Sequence, residues 1–517
     1  MEFGFWAMAA EQPDQIAVVE PDGTEITARA MLARCNQLVH GLQALGLEHG
    51  DVVAAVLPNC AEFYTVYLAC LQAGWYLVPI NNHSVGPEIA YILSNSEAKA
   101  FVSHERFADA SVTGAKEAGI EGDRCFAVGE IPGFRSISEL IDGYSESQPP
   151  RRSAGMVMNY TSGTTGRPKG IRRSLSGISP EDAGLGFGGI LMLFAINPRD
   201  DNVHLVGSPL YHTAVLVFSG AALSFGHTVV LMDKWSGEGM LDRIEKYRVT
   251  HSHLVPTQFR RMLALPEEKR LSYDLSSMRH MIHAAAPCPV DVKRRMIEWW
   301  GPVVDEYYAA SEGGGTVVTS AEWLSKPGTV GKKWPISEVA IFDEEQNILG
   351  PGEIGTVYMS MGAPSFEYHK DPEKTAANRI DNYFTVGDLG YLDEDGYLFL
   401  CDRKIDMIIW GGTNIYPAEI EGELVSNPKV IDAAVFGIPD EEWGEQIKAV
   451  VEPVEDVSPA PGPELEAELL AFCTERLAKF KVPKSIEFVA ELPRDPNGKL
   501  IKRKLRDPYW EGHERAI

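Results

Sequence analysis

Between Tyr160 and Gly170 the chain reads YTSGTTGRPKG. Four hydroxyls (Thr161, Ser162, Thr164, Thr165), three glycines (Gly163, Gly166, Gly170) and the cations Arg167 and Lys169 share these eleven positions. Glycine lets successive backbone N–H groups turn toward one point, and hydroxyls add donors there, so such a segment can cradle phosphate. It lacks the Gly-Lys-Ser/Thr ending that opens a helix in a P-loop. Pro168 interrupts before Lys169, which predicts a loop between strands. A surface turn rich in Ser, Thr and Gly would have the same composition.

Four further segments carry groups with chemistry. HAAAPC, His283 to Cys288, sets the small Ala284, Ala285 and Ala286 before a proline after an expected strand. EYYAASE, Glu306 to Glu312, follows another strand and ends in a carboxylate. The stretch from YFTVGDLG at Asp388 to DRKIDMIIWGGTNIYPAEIE, Asp402 to Glu421, mixes turn acids with a Gly411-Gly412 break. Last, PRDPNGKLIKRKLR presents Lys499 on an Asn-Gly turn, with Arg494, Lys502, Arg503, Lys504 and Arg506 expected to be solvated neighbours.

The elements that must hold these groups alternate. Ile16 to Glu20 and Thr24 to Thr27 flank an Asp22-Gly23 hairpin turn, and a helix follows from Ala28 to about Leu45. Val52 to Leu57 reads as a buried strand. Phe63, Val66, Tyr67, Cys70 and Leu71 then recur at helical spacing up to Gly74, before a strand from Tyr76 to Ile80. Alternation of this kind implies parallel sheets covered on both faces. Near Asp388 the texture changes to a hairpin turned at Asp395-Gly396, a strand to Trp410, and a helix with Pro417 at its first position. The boundary is placed at Asp402, giving a large α/β domain over 1–401 and a small α+β domain over 402–517.

At 517 residues, length alone suggests roughly three or four compact units. A net charge of −26 argues against nucleic acid or an anionic membrane as the main partner. Seven scattered cysteines without a CxxC pair fit a reducing compartment. No segment reads as a signal peptide or a membrane span, so the expectation is a cytoplasmic protein, with a homodimer allowed.

In this order and spacing the five segments resemble the adenylate-forming superfamily, in particular acyl-CoA synthetases such as fatty-acid– and 4-coumarate–CoA ligases. The resemblance runs from about residue 10 to 506. It implies a large domain of stacked mixed and parallel sheets with flanking helices, plus a small mobile tail hinged at Asp402. The implied reaction joins a carboxylic acid to ATP as acyl-AMP with release of pyrophosphate; the thiol of coenzyme A then displaces AMP. Thr161, Ser162, Gly163, Thr164, Thr165, Gly166 and Lys169 would meet the β and γ phosphates. Ser311 would donate to the α-phosphate, and Glu312 would help hold Mg²⁺. Tyr308 would stack on adenine opposite Ala284, Ala285 and Ala286, with Glu306 and Tyr307 beside it. Asp388 would accept from the ribose hydroxyls, and Arg403 would touch ribose or phosphate.

The resemblance makes Lys499 the catalytic cation of adenylation, withdrawn when the tail rotates and brings Gly411-Gly412 to the pantetheine arm. Thr165, Glu312 and His212 complete the catalytic set. Trp410 is either core or lining of the thiol route. His212, Thr213, Leu216, Ala309, Gly313 and Gly314 would border an acyl pocket roomy enough for a medium or long chain or a bulky ring acid. Where many members read Tyr-Gly-x-Thr-Glu, this chain has Tyr308-Ala309-Ala310-Ser311-Glu312, and His283-Ala-Ala-Ala-Pro287 replaces a commoner glycine pair. Two other readings remain: an adenylating enzyme that loads a separate carrier protein, and a non-catalytic nucleotide-binding regulator.

Overall fold

The computed structural model describes residues 3–120, 122–161, 168–362, 366–403, 405–411, 413–440, 442–494 and 500–511. It is a mixed α/β structure whose packing separates into two compact units. One comprises residues up to 254 with 267–282 and 365–377; the other comprises 255–266, 283–364 and the chain from 378 onward. This partition does not test the expected domain boundary at Asp402.

The first unit begins as its sequence pattern predicts. Ile16–Val19 and Glu25–Thr27 pair antiparallel about the Asp22-Gly23 turn, and the helix Ala28–Ala44 follows, capped by the Thr27 hydroxyl. The apolar strand Val52–Val56 is buried along its length and pairs in parallel with Tyr76–Pro79 and Ala100–His104. Between them the helix Ala61–Ala73 ends on Gly74 at φ +71°, a left-handed cap that glycine adopts without Cβ strain. Continuous apolar runs suit strands buried on both faces, and every pairing in this sheet is parallel. A second parallel set joins Val203–Val206 to Thr228–Leu231 and His251–Leu254. A small antiparallel sheet links Asn159–Thr161, Lys169–Arg172 and Glu367–Tyr368.

In the second unit the pairings are mostly antiparallel. Val304–Ala309 pairs with Gly315–Val318. A six-stranded sheet contains Gly355–Ser360, Asp388–Leu392 and Leu398–Arg403. In the tail, Ile408–Trp410, Val430–Asp440, Gly444–Pro453 and Ser485–Phe488 belong to one sheet, with the helices Pro417–Ser426 and Pro463–Arg476 over its core. Ile420, Leu424, Val435, Ala449, Val451, Leu465 and Leu469 form that core, sealed from solvent. Pro417 opens its helix as expected, and the Asp402 carboxylate accepts from the Ala418 N–H at 2.9 Å, satisfying an otherwise orphaned donor.

Candidate active site

The phosphate-binding candidate sits on a hairpin. Thr161 and Lys169 are register partners across the antiparallel strands Asn159–Thr161 and Lys169–Arg172. Ser162, Gly163, Thr164, Thr165 and Gly166 lie outside the described residues. At the root, Tyr160 donates to Asn95 Oδ1 at 2.7 Å, and a Cβ on Gly170 would come within 3.0 Å of its ring. The Lys169 ammonium bonds the Asp371 carboxylate, and that contact holds the Asp371 carboxyl below the usual carboxylate range. Asp371 carried no signal in the sequence; it is 202 residues distant and arrives on the chain after Tyr368.

Also in the first unit, His212 precedes the helix Thr213–Ser224. Its ring packs 4.1 Å from that of Tyr211, and Nε2 has no hydrogen-bond partner among the described residues. Burial first, then the neighbouring His253, pushes its imidazole down to about 3, so the ring is neutral near pH 7. A neutral ring can offer one N–H to a carboxylate but cannot act as a fixed cation. Thr213 and Leu216 follow on the same helix three residues apart, which puts them on one face.

The second unit assembles the nucleoside candidates. Asp388 and Arg403 are cross-strand partners, and Arg403 Nε stands 3.3 Å from Asp388 Oδ1. Tyr308, near the end of Val304–Ala309, donates its hydroxyl to Asp388 Oδ2 at 2.6 Å. Three residues separated by up to 95 positions thus meet at one buried carboxylate. Burial and the adjacent Asp388 anion raise the Tyr308 phenol well above its ordinary range, so it stays a donor. Part of the Tyr308 side chain packs on Ile341, Val357 and Leu398.

The strand ends in a turn where Ser311 precedes the buried Glu312, followed by Gly313 and Gly314 with φ of +119° and +72°. Ala309 closes the strand against Gly315. Ala284 is buried, while Ala285 is exposed with φ +71°, a left-handed conformation uncommon for a residue with a Cβ.

The other two expected nucleotide neighbours are both buried. Glu306 is buried and accepts from the buried Lys293 at 2.6 Å, with His283 Nε2 at 3.5 Å. Tyr307 is buried, on the opposite face of the strand from Tyr308.

In the tail, Trp410 is sandwiched between Trp443, with ring centroids 4.5 Å apart, and Phe480 at 6.1 Å. It also packs against the tail core, so core packing and a partly exposed aromatic ladder are the same side chain. Gly411 is required by that ladder: a Cβ there would stand 2.7 Å from the Trp443 ring. Gly412 and Lys499 lie outside the described residues. The basic neighbours of Lys499 depart from the expected solvated cluster. Lys502 pairs with Glu421 at 2.8 Å, Arg494 with Asp432, and Arg506 with Asp406 at 3.4 Å, while Arg503 and Lys504 are exposed. Asp432, an acid inside the apolar run VIDAAVFG, was the sequence signal for one of these pairs.

Residues 5–364 match the family described as AMP-binding enzyme, and residues 419–499 match the AMP-binding enzyme C-terminal domain. The chain is 31% identical over 521 residues to the fatty acid–[acyl-carrier-protein] ligase ScoC of Streptomyces coeruleorubidus, covering 98% of this chain and 96% of that protein. It is 33% identical over 511 residues to a feruloyl-CoA synthase of Amycolatopsis sp, covering 97% and 98%. Among solved structures, ATP-bound MatB of Rhodopseudomonas palustris aligns with a TM-score of 0.84 at 30% identity, over 99% of this chain and 100% of that one.

Proposed function

The chain belongs to the AMP-binding enzyme family and is an acid–thiol ligase, and from that premise we propose that it activates a medium- or long-chain or bulky ring acid with ATP and transfers the acyl group to coenzyme A. The observation that carries this reading is the Asp388 carboxylate gripped by Tyr308 and Arg403. A carboxylate offers about four lone-pair sites, so two contacts leave acceptors for both hydroxyls of a ribose.

Making the adenylate brings two anions together, and donors and cations at the phosphates must offset their repulsion. Lys169, with Thr161 to Gly166, takes the β and γ phosphates, and Ser311 donates to the α-phosphate. Glu312 supplies the hard oxygen ligand that Mg²⁺ prefers; that ion would neutralise phosphate charge. Tyr308 and the Ala284–Ala286 backbone hold the adenine. His212, as a neutral ring, orients the substrate carboxylate beside Thr213, Leu216, Ala309, Gly313 and Gly314. The tail, from Asp402 onward, swivels between two closed states: one delivers Lys499 for adenylation, the other brings Trp410, Gly411 and Gly412 to the thiol.

The test is carboxylate-dependent ATP–pyrophosphate exchange with acetate, octanoate, palmitate, ferulate and 2-succinylbenzoate, with and without coenzyme A. Exchange with octanoate, palmitate or a ring acid, and thioester on adding coenzyme A, is expected. Exchange with none, or a strong preference for acetate, sinks the reading. The Lys499→Ala variant should lose exchange yet still convert synthetic acyl adenylate and coenzyme A to thioester; equal loss of both would remove the division between the two states. The similarity to a carrier-protein ligase supports a second reading, in which exchange proceeds but acyl transfer needs a carrier thiol.

A further inference from the structure

Asp432 is held by two guanidinium groups, one on each carboxylate oxygen. Arg260, on the helix Pro256–Leu263, bonds Oδ1, and Arg494 bonds Oδ2. All three side chains are largely buried, with exposures of 16%, 12% and 7% for Arg260, Arg494 and Asp432. Arg260 also donates to the Ile431 carbonyl at 3.2 Å, and the next residue, Arg261, lies 3.7 Å from Glu491. Asp432 stands just past a register shift at the start of the strand Val430–Asp440, where its own carboxylate also accepts from the Ala433 N–H.

Arg494 is no ordinary partner. It forms an isolated antiparallel bridge with Leu500, and the Ile501 N–H donates to the Pro493 carbonyl at 2.8 Å. Those contacts close the two ends of the segment that carries Lys499. Arg494 and Asp432 both belong to the tail, so they travel together in any rotation about Asp402. Arg260 does not: it belongs to the stretch matching the AMP-binding enzyme family, ahead of the hinge. Swivelling the tail must therefore break Arg260–Asp432 while leaving Arg494–Asp432 whole.

The chemistry suits a contact that is made and broken. Arg260 lies within electrostatic reach of Glu421 and Glu452 as well as Asp432, yet its buried Nε has no hydrogen-bond partner among the described residues. A pair built only for stability would satisfy its donors or use apolar packing, since burying charge is costly. We infer that Arg260 is a positioning residue for adenylation: by gripping Asp432, and through it Arg494, it registers the root of the Lys499 segment in one closed state only. This rests on the reading above that Lys499 serves adenylation and that the tail swivels.

The experiment compares Arg260→Met, Arg260→Lys and Lys499→Ala in both half-reactions, using whichever acid of the panel gives the fastest exchange. Arg260→Met should slow ATP–pyrophosphate exchange by about tenfold or more while thioester formation from synthetic adenylate stays within about twofold. Arg260→Lys keeps the charge but not the planar fork and should fall between. If Arg260→Met yields no folded protein by its melting transition, Arg260→Lys decides by the same ratio. Equal loss in both halves makes the pair mere fold support and overturns the inference. Unchanged exchange in Arg260→Met, with exchange abolished in Lys499→Ala, overturns the latch alone. Exchange persisting in Lys499→Ala overturns the parent reading and the latch with it.

Discussion

Lys169 is answered by an anion of the protein's own, the Asp371 carboxylate. A cation expected to meet nucleotide phosphates therefore has a competitor already in contact with it, at a partly exposed site where such a pair is weak. Asp371 has a second task, accepting from the Lys374 N–H at 3.0 Å at the start of a short helix. Asparagine keeps that cap and removes the charge. Asp371→Asn should accordingly lower KM for ATP by about two- to fivefold with little change in melting temperature. A rise in KM would mean that Asp371 orients Lys169 rather than competing for it. Ala285 makes a related point: its positive φ places a methyl group where glycine would be unstrained, at some cost in backbone energy.

Elements bring the site groups together through register. Asp388 and Arg403 meet because the strands Asp388–Leu392 and Leu398–Arg403 pair antiparallel with those residues opposed, despite a register shift between Leu389 and Gly390. In the tail, the end of Ile408–Trp410 is shaped by its neighbour strand: the Gly411 N–H donates to the Trp443 carbonyl at 2.8 Å while the Trp443 ring stacks on Trp410. A side chain at Gly411 must displace that ring. Gly411→Val should cost about 1–3 kcal/mol of stability and slow thioester formation more than exchange. Thermal melting together with the two half-reactions checks this; a stable variant with normal thioester formation would free Gly411 from both roles.

At the scale of the molecule, buried histidines set a pH dependence. Burial pushes the imidazoles of His204 and His212 down to about 3 and that of His253 to about 4. In the unfolded chain each titrates near 6.5, so between that value and the folded one the unfolded state binds more protons. Stability therefore rises with pH across this window and is lost as pH falls from about 6.5 toward 4, by up to about 2 kcal/mol per histidine at pH 5. The half-buried Glu20 and the buried Glu306, whose carboxyls desolvation raises, act in the opposite sense because the folded state binds their protons first. The clean readout is a difference: His253→Leu should flatten the fall in urea-unfolding free energy between pH 7 and pH 5. Parallel pH profiles for variant and wild type would show that His253 titrates alike folded and unfolded.

The linear sequence determined the local elements and the identity of the chemistry. The Asp22-Gly23 hairpin, the helix stopped at Gly74, the all-parallel first sheet and the helix opened by Pro417 follow from turn chemistry and periodicity over a few residues, which act wherever the chain finds itself. Motif order by itself places the chain among adenylate-forming ligases. Tertiary structure alone decided the partners: Asp371 for Lys169, Lys293 for Glu306, Glu421 for Lys502, and one aspartate shared by Arg260 and Arg494. These pairs join residues 13 to 202 positions apart. Whether a charged side chain is solvated or clamped depends on which elements pack against it, and strand order and register, not local pattern, set that.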